Sequence, residues 1–320
     1  MFTLSVPEWL NNYLVNDLNA VNAPDFDKAR SNLANSHADN CKYLGTYFPR
    51  TYTELVNIMK QLEKETTITE TSEFKNRKTV RILSVGCGTG ADVTGLIDYL
   101  SKNTAATNFS VSLVDGNSDA LGLCRKILEM QGLAEEINIT INQTVNEEIS
   151  CGSDFLRIAG KLTHYGKFDF IITSKFLNEL IGKIPNPYSN FVNSFASGLN
   201  SRGLMILLDT SNPPKGSSKW IPEIMNNEIN QNADKNSLAT ILPVPCHGNG
   251  CRFVDCYTQF PNYYYKLKTG AGCVTPDRSK YTFRIISKKE LYGSLEYKNS
   301  YHRGGYIVNS AKQTSCPKGL

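Results

Sequence analysis

Three glycines at alternate positions, Gly86, Gly88 and Gly90, directly follow a short apolar segment that ends at Val85. Glycine adopts backbone conformations that other residues avoid, and it lets a ligand approach the backbone N–H groups of a loop. About 25 residues later a second apolar segment ends in an acid, Asp115. A glycine turn, a helix, a strand and a terminal acid form the first half of a nucleotide-binding βαβ unit. The sequence therefore predicts a ligand site at Val85–Gly90 and Asp115.

A second set of polar side chains follows the apolar segment Phe168–Thr173. Ser174, Asn178 and Glu179 lie directly after it, at the carboxyl end of a predicted strand, where open α/β sheets bind ligands. Ser174 is a predicted contact of the ligand. Spacing alone does not identify a catalytic base, and Asn178 and Glu179 are the best candidates. The alternative is a helix N-terminus whose polar side chains face solvent.

Nine cysteines form a further signal, with four before residue 160 and five after residue 240. Cys246, Cys251 and Cys256 give the spacing C-x4-C-x4-C. Structural zinc sites commonly use C-x2-C pairs, so this spacing is not diagnostic. Three neighbouring thiolates still suit a soft metal or an iron–sulfur cluster. A fourth ligand would come from Cys316, Cys273 or His247. Three reduced cysteines in an irregular loop are the alternative.

The elements that must position these residues alternate between strand and helix. Strands are predicted at Val80–Val85, Ser110–Val114, Ile137–Ile141, Phe168–Thr173 and Gly203–Asp209, with helices between them. This alternation with short connections predicts an α/β fold with a doubly wound, largely parallel sheet. Three segments follow from it. Residues 1–78 are an N-terminal helical segment and linker, residues 79–240 the ligand-binding core, and residues 241–320 a cysteine-rich insertion plus C-terminal strands. The C-terminal strands are predicted at Tyr281–Ser287 and Gly305–Ser310.

Two smaller expectations concern the N-terminal segment. Pro49 is predicted to form a turn just before a helix at Leu55–Leu62, because proline suits the start of a helix. Glu63–Lys78 is polar and rich in threonine, glutamate and lysine, so it is predicted to be a linker.

The charge of the chain is unevenly distributed. The net charge is +4, but residues 263–320 hold 11 lysines and arginines against three acids, and residues 1–262 hold 23 against 27. The same C-terminal segment holds 8 of the 16 tyrosines. A basic, tyrosine-rich segment on a mildly acidic body indicates a surface that faces a polyanion such as RNA. A solvated lysine-rich hairpin with structural tyrosines is the alternative.

The segment Val85-Gly-Cys-Gly-Thr-Gly90 resembles motif I of the class I methyltransferases that use S-adenosylmethionine (SAM). The resemblance implies a seven-stranded Rossmann-like sheet and a loop of Val85, Gly86, Cys87, Gly88 and Gly90 beneath the methionine part of SAM. It also implies that Asp115 holds the ribose hydroxyls. A dinucleotide fingerprint, G-x-G-x-x-G, would need a glycine at position 91, where this chain has alanine. The motif therefore favours SAM over NAD.

The cysteine pattern is similar to that of the ribosomal small-subunit methyltransferase-like family of mitochondria and bacteria. Pro245-Cys-His, Cys251, Cys256-Tyr and Cys316-Pro-Lys-Gly319 stand where that family has its cluster ligands, and Phe48-Pro-Arg-Thr-Tyr52 is similar to a region that precedes its SAM fold. The resemblance implies a [4Fe–4S] cluster, with zinc as the alternative metal, inserted after strand 5. The implied ligands are Cys246, Cys251, Cys256 and Cys316.

Composition bounds the remaining choices. A chain of 320 residues with 40% hydrophobic and 20% charged residues suits a globular protein. No apolar run approaches the roughly 18 residues that span a bilayer, and the N-terminus resembles no export signal, so we expect a cytoplasmic protein with no membrane partner.

The expected function is SAM-dependent methyl transfer to, or in association with, ribosomal small-subunit RNA. The alternatives are a SAM-binding ribosome-assembly factor without methyl transfer and a small-molecule methyltransferase.

Overall fold

The structure is a computed structural model that describes residues 3–24, 32–164, 166–214, 216–230, 237–243, 258–270 and 274–298. Its helices are α1 (Glu8–Asn12), α2 (His37–Glu65), α3 (Ser72–Lys75), α4 (Ala91–Asn103), α5 (Ser118–Ala134), α6 (Gly152–Thr163), α7 (Pro187–Phe195), α8 (Ile221–Asn230) and α9 (Lys289–Gly293). Its strands are β1 (Thr79–Val85), β2 (Asn108–Asp115), β3 (Asn138–Asn146), β4 (Phe168–Ser174), β5 (Leu199–Thr210), β6 (Leu238–Leu242), β7 (Phe260–Tyr265) and β8 (Pro276–Lys288).

The eight strands form one sheet in the order β3-β2-β1-β4-β5-β8-β6, and β7 also pairs with β8. Strands β1 to β5 are parallel, while β8 runs antiparallel to β5, β6 and β7. The order 3-2-1-4-5 is that of a doubly wound sheet, in which the chain changes direction between β1 and β4. The predicted Rossmann-like α/β fold is confirmed, with eight described strands where the sequence predicted seven.

Helices cover both faces of the sheet because the central strands are apolar on both sides. On one face Ile82 and Phe170 pack with residues of α2, α4 and α5. On the other face Leu83 and Ile171 pack with residues of α6, α7 and α8. Successive residues of a strand point to opposite faces, so β1 and β4 contribute to both cores. This double burial explains why these strands appear in the sequence as continuous apolar runs.

Helix α2 contradicts the prediction for Pro49, which lies inside a helix of 29 residues and not in a turn before it. A proline in a helix interior loses one hydrogen bond and costs about 3 kcal/mol. The same turns bury Leu44, Phe48 and Leu55 completely, and each such side chain contributes about 1.5–3 kcal/mol. Packing of α2 on the core therefore outweighs the local cost of the proline.

The predicted linker Glu63–Lys78 is folded onto the sheet. Helix α2 continues to Glu65, a 3-10 turn covers Ile68–Glu70, and α3 follows. Ile68 is buried in the core, and the Thr67 N–H donates to the Glu296 carbonyl over 3.0 Å. Its polar composition suggested a linker, but a few buried residues are sufficient to hold the segment in place.

Five elements were not anticipated, namely α3, α6, α9, β6 and β7. Helix α6 had a readable signal, because Phe155, Ile158, Ala159 and Leu162 lie at helical spacing and are all buried. The cysteines of the predicted insertion and the predicted strand Gly305–Ser310 lie outside the described residues. Within the described part of the chain, no helix is long and apolar enough to cross a bilayer.

Candidate functional site

A cavity of about 220 Å³ lies at the carboxyl ends of β1, β2 and β4. A single water needs only about 10–15 Å³ by this measure, so the cavity can hold part of an organic ligand. Its position matches the rule that open α/β sheets bind ligands where the strand order reverses. One side, the glycine-loop wall, comprises Gly86–Thr89, Ala91, Asp115–Asn117 and Glu147–Ser150. The other side, the lysine wall, comprises Tyr43, Thr51, Lys175, Glu179 and Lys183.

The glycine loop is fixed by hydrogen bonds to its neighbouring strand. The N–H groups of Gly86 and Cys87 both donate to the Val114 carbonyl, over 2.8 and 3.1 Å. The Gly88 N–H donates to Oδ2 of Asp115 over 2.7 Å, and the Gly90 N–H donates to the Cys87 carbonyl over 2.8 Å. The sequence predicted that this loop would direct its N–H groups at a ligand. Those four N–H groups instead bond within the protein.

The three loop glycines serve different purposes, although all three have positive φ angles of 66°, 50° and 84°. A Cβ atom on Gly86 would lie 2.2 Å from the Phe176 ring, and one on Gly90 would lie 2.4 Å from Sγ of Cys124. A Cβ atom on Gly88 would have no atom within 4 Å, and Gly88 lines the cavity. Gly86 and Gly90 thus allow close packing of the loop, while Gly88 leaves space for a ligand.

Asp115 connects the glycine loop to the end of β2. Its Oδ1 atom accepts the Asn117 N–H over 2.8 Å, while Oδ2 accepts the Gly88 N–H. Burial raises the pKa of the carboxyl above its ordinary value, and the two hydrogen bonds oppose that shift. Each carboxylate oxygen has a second lone pair, so the group can also accept hydrogen bonds from a ligand that carries hydroxyls.

The cavity is lined by more acids than bases. Five carboxyl side chains contribute to it, against two lysines, and the acids are Asp92, Asp115, Glu147, Glu148 and Glu179. Asp92 occupies the first turn of α4, the place where a phosphate would otherwise meet the positive end of the helix dipole. Burial raises its pKa to about 6, although hydrogen bonds, including one from Ser84, lower it. Asp92 is thus largely ionised at neutral pH. Glu147 is neutralised by Arg157 and Lys161, and the four remaining acids still outnumber the two lysines, so the cavity favours cations.

A buried ion pair supports the lysine wall. Nζ of Lys175 contacts Oε2 of Glu54 and donates to Oγ1 of Thr51 over 2.9 Å. The Glu54 side chain is fully buried, and it also accepts from Oγ of Ser279 over 2.7 Å. Burial and the charge of Arg50 lower the pKa of Lys175 to about 8, and Glu54 opposes that shift. Lys175 is therefore mostly protonated at pH 7.

The backbone at Lys175 is held in an unusual conformation, with a φ angle of 55°. This left-handed conformation is uncommon for a residue with a side chain and costs about 1–2 kcal/mol. The Lys175 N–H donates to the Leu208 carbonyl over 2.8 Å, and the ion pair with Glu54 fixes the side chain. Such over-determined strain is typical of functional positions.

The structure separates the two candidate catalytic residues. Glu179 lines the cavity, and burial, together with the charge of Glu179, raises the pKa of the neighbouring Tyr43 phenol. Asn178 instead contacts β5, because its N–H donates to Oδ2 of Asp209 over 3.2 Å and its Nδ2 lies 3.5 Å from Oγ1 of Thr210. Asn178 therefore supports the turn that carries Glu179.

The predicted ligand contacts fall into three groups. Gly86, Cys87, Gly88, Asp115 and Ser174 line the cavity. Val85 is fully buried in the core of the sheet, and Gly90 packs against Cys124, so both support the loop from behind. The four candidate metal ligands Cys246, Cys251, Cys256 and Cys316 lie outside the described residues. Among the residues that the structure describes, no group of three or more His, Cys, Asp or Glu side chains could hold a metal ion.

Lys175 and Glu54 were missed by the sequence analysis. Lys175 directly follows Ser174 at the end of β4, and this position could have marked it as a candidate site residue. Its partner lies on α2, and nothing in the local sequence connects the two.

Comparison with known proteins finds no matching protein family and no matching curated protein. Solved structures with a similar backbone include a putative methyltransferase from Thermoplasma acidophilum, with 13% identity and a TM-score of 0.38 over 67% of this chain and 70% of that one. An O-methyltransferase family protein from Burkholderia thailandensis has 11% identity and a TM-score of 0.42 over 88% and 69%. A SAM-dependent methyltransferase from Methanosarcina mazei has 17% identity and a TM-score of 0.38 over 66% and 93%. At such values these structures say nothing about what this chain binds, and the fold assignment rests on its own strand order.

Proposed function

We propose that this chain binds S-adenosylmethionine at the glycine-loop wall and transfers its methyl group. The observation that carries the proposal is the combination of an acid-lined cavity with a glycine loop in which the N–H groups of Gly86, Cys87, Gly88 and Gly90 are already bonded within the protein. A dinucleotide carries a pyrophosphate, which needs free N–H donors and a helix N-terminus without an acid. SAM carries a positively charged sulfur and an ammonium group, and both are favoured by nearby carboxylates.

The residues of the glycine-loop wall fit such a ligand. Gly88 leaves room for it, and Asp115 has free lone pairs for the ribose hydroxyls. Gly86, Cys87 and Ser174 complete this wall, while Val85 and Gly90 keep the loop in shape. When bound, SAM supplies an electrophilic methyl group on a sulfonium. The contribution of the protein is to hold donor and acceptor in line and to exclude water.

The lysine wall is the proposed site of the methyl acceptor. Glu179 can accept a proton from the acceptor, whereas Asn178 holds the turn in place. Lys175, fixed by Glu54 and Thr51, offers a positive charge or a hydrogen-bond donor to an electron-rich acceptor. Lys183 lies in the same wall and is exposed.

We further propose RNA of the ribosomal small subunit as the acceptor or partner. The support is the basic, tyrosine-rich segment 263–320 together with the resemblance of the cysteine pattern. A SAM-binding assembly factor without methyl transfer and a small-molecule methyltransferase remain the alternatives. The [4Fe–4S] cluster or zinc ion on Cys246, Cys251, Cys256 and Cys316 stays a prediction, and no step of the proposed reaction depends on it.

The test is methyl transfer from isotope-labelled SAM to purified small-subunit RNA. We expect label in the RNA, and we expect Glu179→Gln to lower the rate by about 10²–10⁴-fold, the usual contribution of a general acid or base. Asn178→Ala is the neighbouring control and should have a smaller effect. Binding of SAM without transfer to any RNA would favour the assembly-factor alternative. Transfer only to small molecules would favour the small-molecule methyltransferase.

A further inference from the structure

Strands β7 and β8 form a hairpin whose outer face carries aromatic residues on β7 and basic residues on β8. In the antiparallel register Tyr263 lies opposite Arg278, Pro261 opposite Lys280, and Tyr265 opposite Pro276. Paired residues of antiparallel strands share one face, so these six side chains lie together. Tyr263 is 40% exposed, Arg278 and Lys280 are exposed, and Tyr265 is half-buried.

Among the residues that the structure describes, no acid pairs with the basic side chains of this face. Asp277 projects to the opposite face, where it accepts from the Tyr264 hydroxyl over 3.1 Å and pairs with Lys266 at 3.4 Å. Within the described ranges neither Arg278 nor Lys280 forms an ion pair. Arg278 and Lys280, which pair with no described acid, lie next to one exposed and one half-buried tyrosine ring. This combination favours a partner that carries both negative charge and flat ring surfaces.

The inner face of the hairpin is anchored on helix α2. Nδ2 of Asn57 donates to Oδ1 of Asn262 over 2.7 Å, and Nδ2 of Asn262 donates to Oγ1 of Thr53 over 3.0 Å. Oγ of Ser279 donates to Glu54, the partner of Lys175. The outer face therefore lies on a fixed support and needs no rearrangement before it binds a ligand.

The outer edge of β7 is closed to a further strand. The Tyr265 N–H donates to the Leu4 carbonyl over 2.8 Å, and the Leu4 N–H donates to the Tyr263 carbonyl over 3.0 Å. A peptide could not extend the sheet at these residues, so the face and not the edge is available.

The hairpin also lies at the same end of the sheet as the cavity. Tyr281 pairs with Thr210, the last residue of β5. Because β8 runs antiparallel to β5, residues 276–280 extend beyond the carboxyl ends of the parallel strands, where the cavity lies.

We propose that this hairpin face binds single-stranded RNA, with bases stacked on Tyr263 and Tyr265 and phosphates at Arg278 and Lys280. Residues two apart in a strand are separated by about 7 Å, a distance that suits successive bases of an extended strand. Such platforms combine base stacking with phosphate neutralisation and accept many sequences. The inference deepens the proposed function and rests on it only for the role of the bound strand as methyl acceptor. Binding itself does not require SAM.

The first experiment measures fluorescence anisotropy of a labelled oligouridylate of about 12 nucleotides, within the site sizes of known single-strand platforms. The full chain should bind it in the absence of SAM, and more tightly than a duplex RNA of equal length. The affinity should fall as salt is raised. Equal binding of the duplex, or equal binding of polyglutamate, would overturn the proposal, since either would show a surface that recognises charge alone.

Two double variants separate stacking from charge. Tyr263→Leu with Tyr265→Leu should weaken binding at least about fivefold and leave the salt dependence unchanged. Arg278→Gln with Lys280→Gln should weaken binding and reduce the slope of log affinity against log salt by about 1.4, the value for two phosphate contacts on a single strand.

The control is Arg125→Gln with Lys126→Gln on α5, which removes the same charges from another exposed surface. This control should change the affinity by less than about twofold, and all variants should keep the thermal unfolding temperature of the parent. If the hairpin and α5 variants lost equal amounts of RNA affinity, the proposed local site would be refuted. SAM binding of the parent chain is measured separately by calorimetry. A parent chain that binds RNA but not SAM contradicts the proposed function, and a parent chain that binds SAM but not single-stranded RNA contradicts the hairpin site.

Discussion

The two walls of the cavity are built in different ways. The glycine-loop wall is made mainly by continuous backbone, from Gly86 to Thr89, at Ala91 and at the ends of β2 and β3. The lysine wall depends on side chains from distant parts of the chain, since Lys175 and Thr51 are 124 residues apart. The first wall is set by local sequence, while the second exists only when α2 packs against the sheet. The two walls should therefore respond differently to mutation.

The largest expected effect is on stability, at the lysine wall. Lys175→Met would leave the fully buried Glu54 carboxylate without its main partner, and breaking a buried pair costs about 3–5 kcal/mol. Nε of Arg50 lies 3.6 Å from Glu54 and would remain, so we expect about 3 kcal/mol. Chemical denaturation measures the change. Affinity for S-adenosylhomocysteine should be unchanged, because the glycine-loop wall is independent of this pair.

Two variants serve as controls for that result. Lys183→Met removes an exposed lysine of the same wall and should change the free energy of unfolding by less than about 0.5 kcal/mol. Lys175→Met combined with Glu54→Leu removes both charges and should recover much of the lost stability. If the double variant were no more stable than Lys175→Met, the pair would not be the cause of the loss.

The second effect concerns binding at the glycine-loop wall. Gly88→Ala places a methyl group in the cavity at a φ angle of 50°, so affinity for S-adenosylhomocysteine should fall at least about tenfold, or about 1.4 kcal/mol. The strain of the left-handed backbone should cost about 1–2 kcal/mol of stability.

Gly122→Ala on α5 is the matched control, because its Cβ atom also meets open space but its φ angle is ordinary. It should leave affinity unchanged and raise stability slightly. Equal affinity of the Gly88→Ala and parent proteins would remove the loop from the binding site.

The smallest expected effect concerns the pH dependence of the affinity for SAM. The pKa of Asp92 is raised to about 6, so the carboxyl is mostly neutral at pH 5 and mostly ionised at pH 7. A cationic ligand prefers the ionised form, and affinity for SAM should therefore rise by up to about tenfold between these pH values. Asp115 shifts in the same direction. Asp92→Asn should flatten the profile measured by calorimetry, and an unchanged profile would place the cation away from Asp92.

The contrast between the walls also explains what the sequence could predict. The glycine spacing and Asp115 lie in one βαβ unit, so local pattern located the loop and the fold. The direction of the loop N–H groups was predicted wrongly, because bonds to Val114 and Asp115 depend on the register of β1 and β2. Helix α2 was interrupted at Pro49 in the prediction, since the buried residues that outweigh the proline are recognised only once the sheet is present.

The lysine wall could not be predicted from the sequence, for a different reason. Lys175 and Glu54 have no common motif, and each alone suggests a solvated surface charge. Their pairing arises from the packing of α2 against β4 and the hairpin of β7 and β8. Strands β6 and β7 were missed for a similar reason, because each is short and its partner among the described strands is the distant β8.

The most direct test of the central claim is calorimetric titration of the purified chain with S-adenosylhomocysteine and, separately, with NAD. An acid-lined cavity beside a glycine loop with four N–H groups already bonded within the protein should bind one equivalent of S-adenosylhomocysteine and should bind NAD far more weakly. NAD binding as tight as that of S-adenosylhomocysteine would contradict the account, since the site would then accommodate a pyrophosphate beside Asp92 and Asp115.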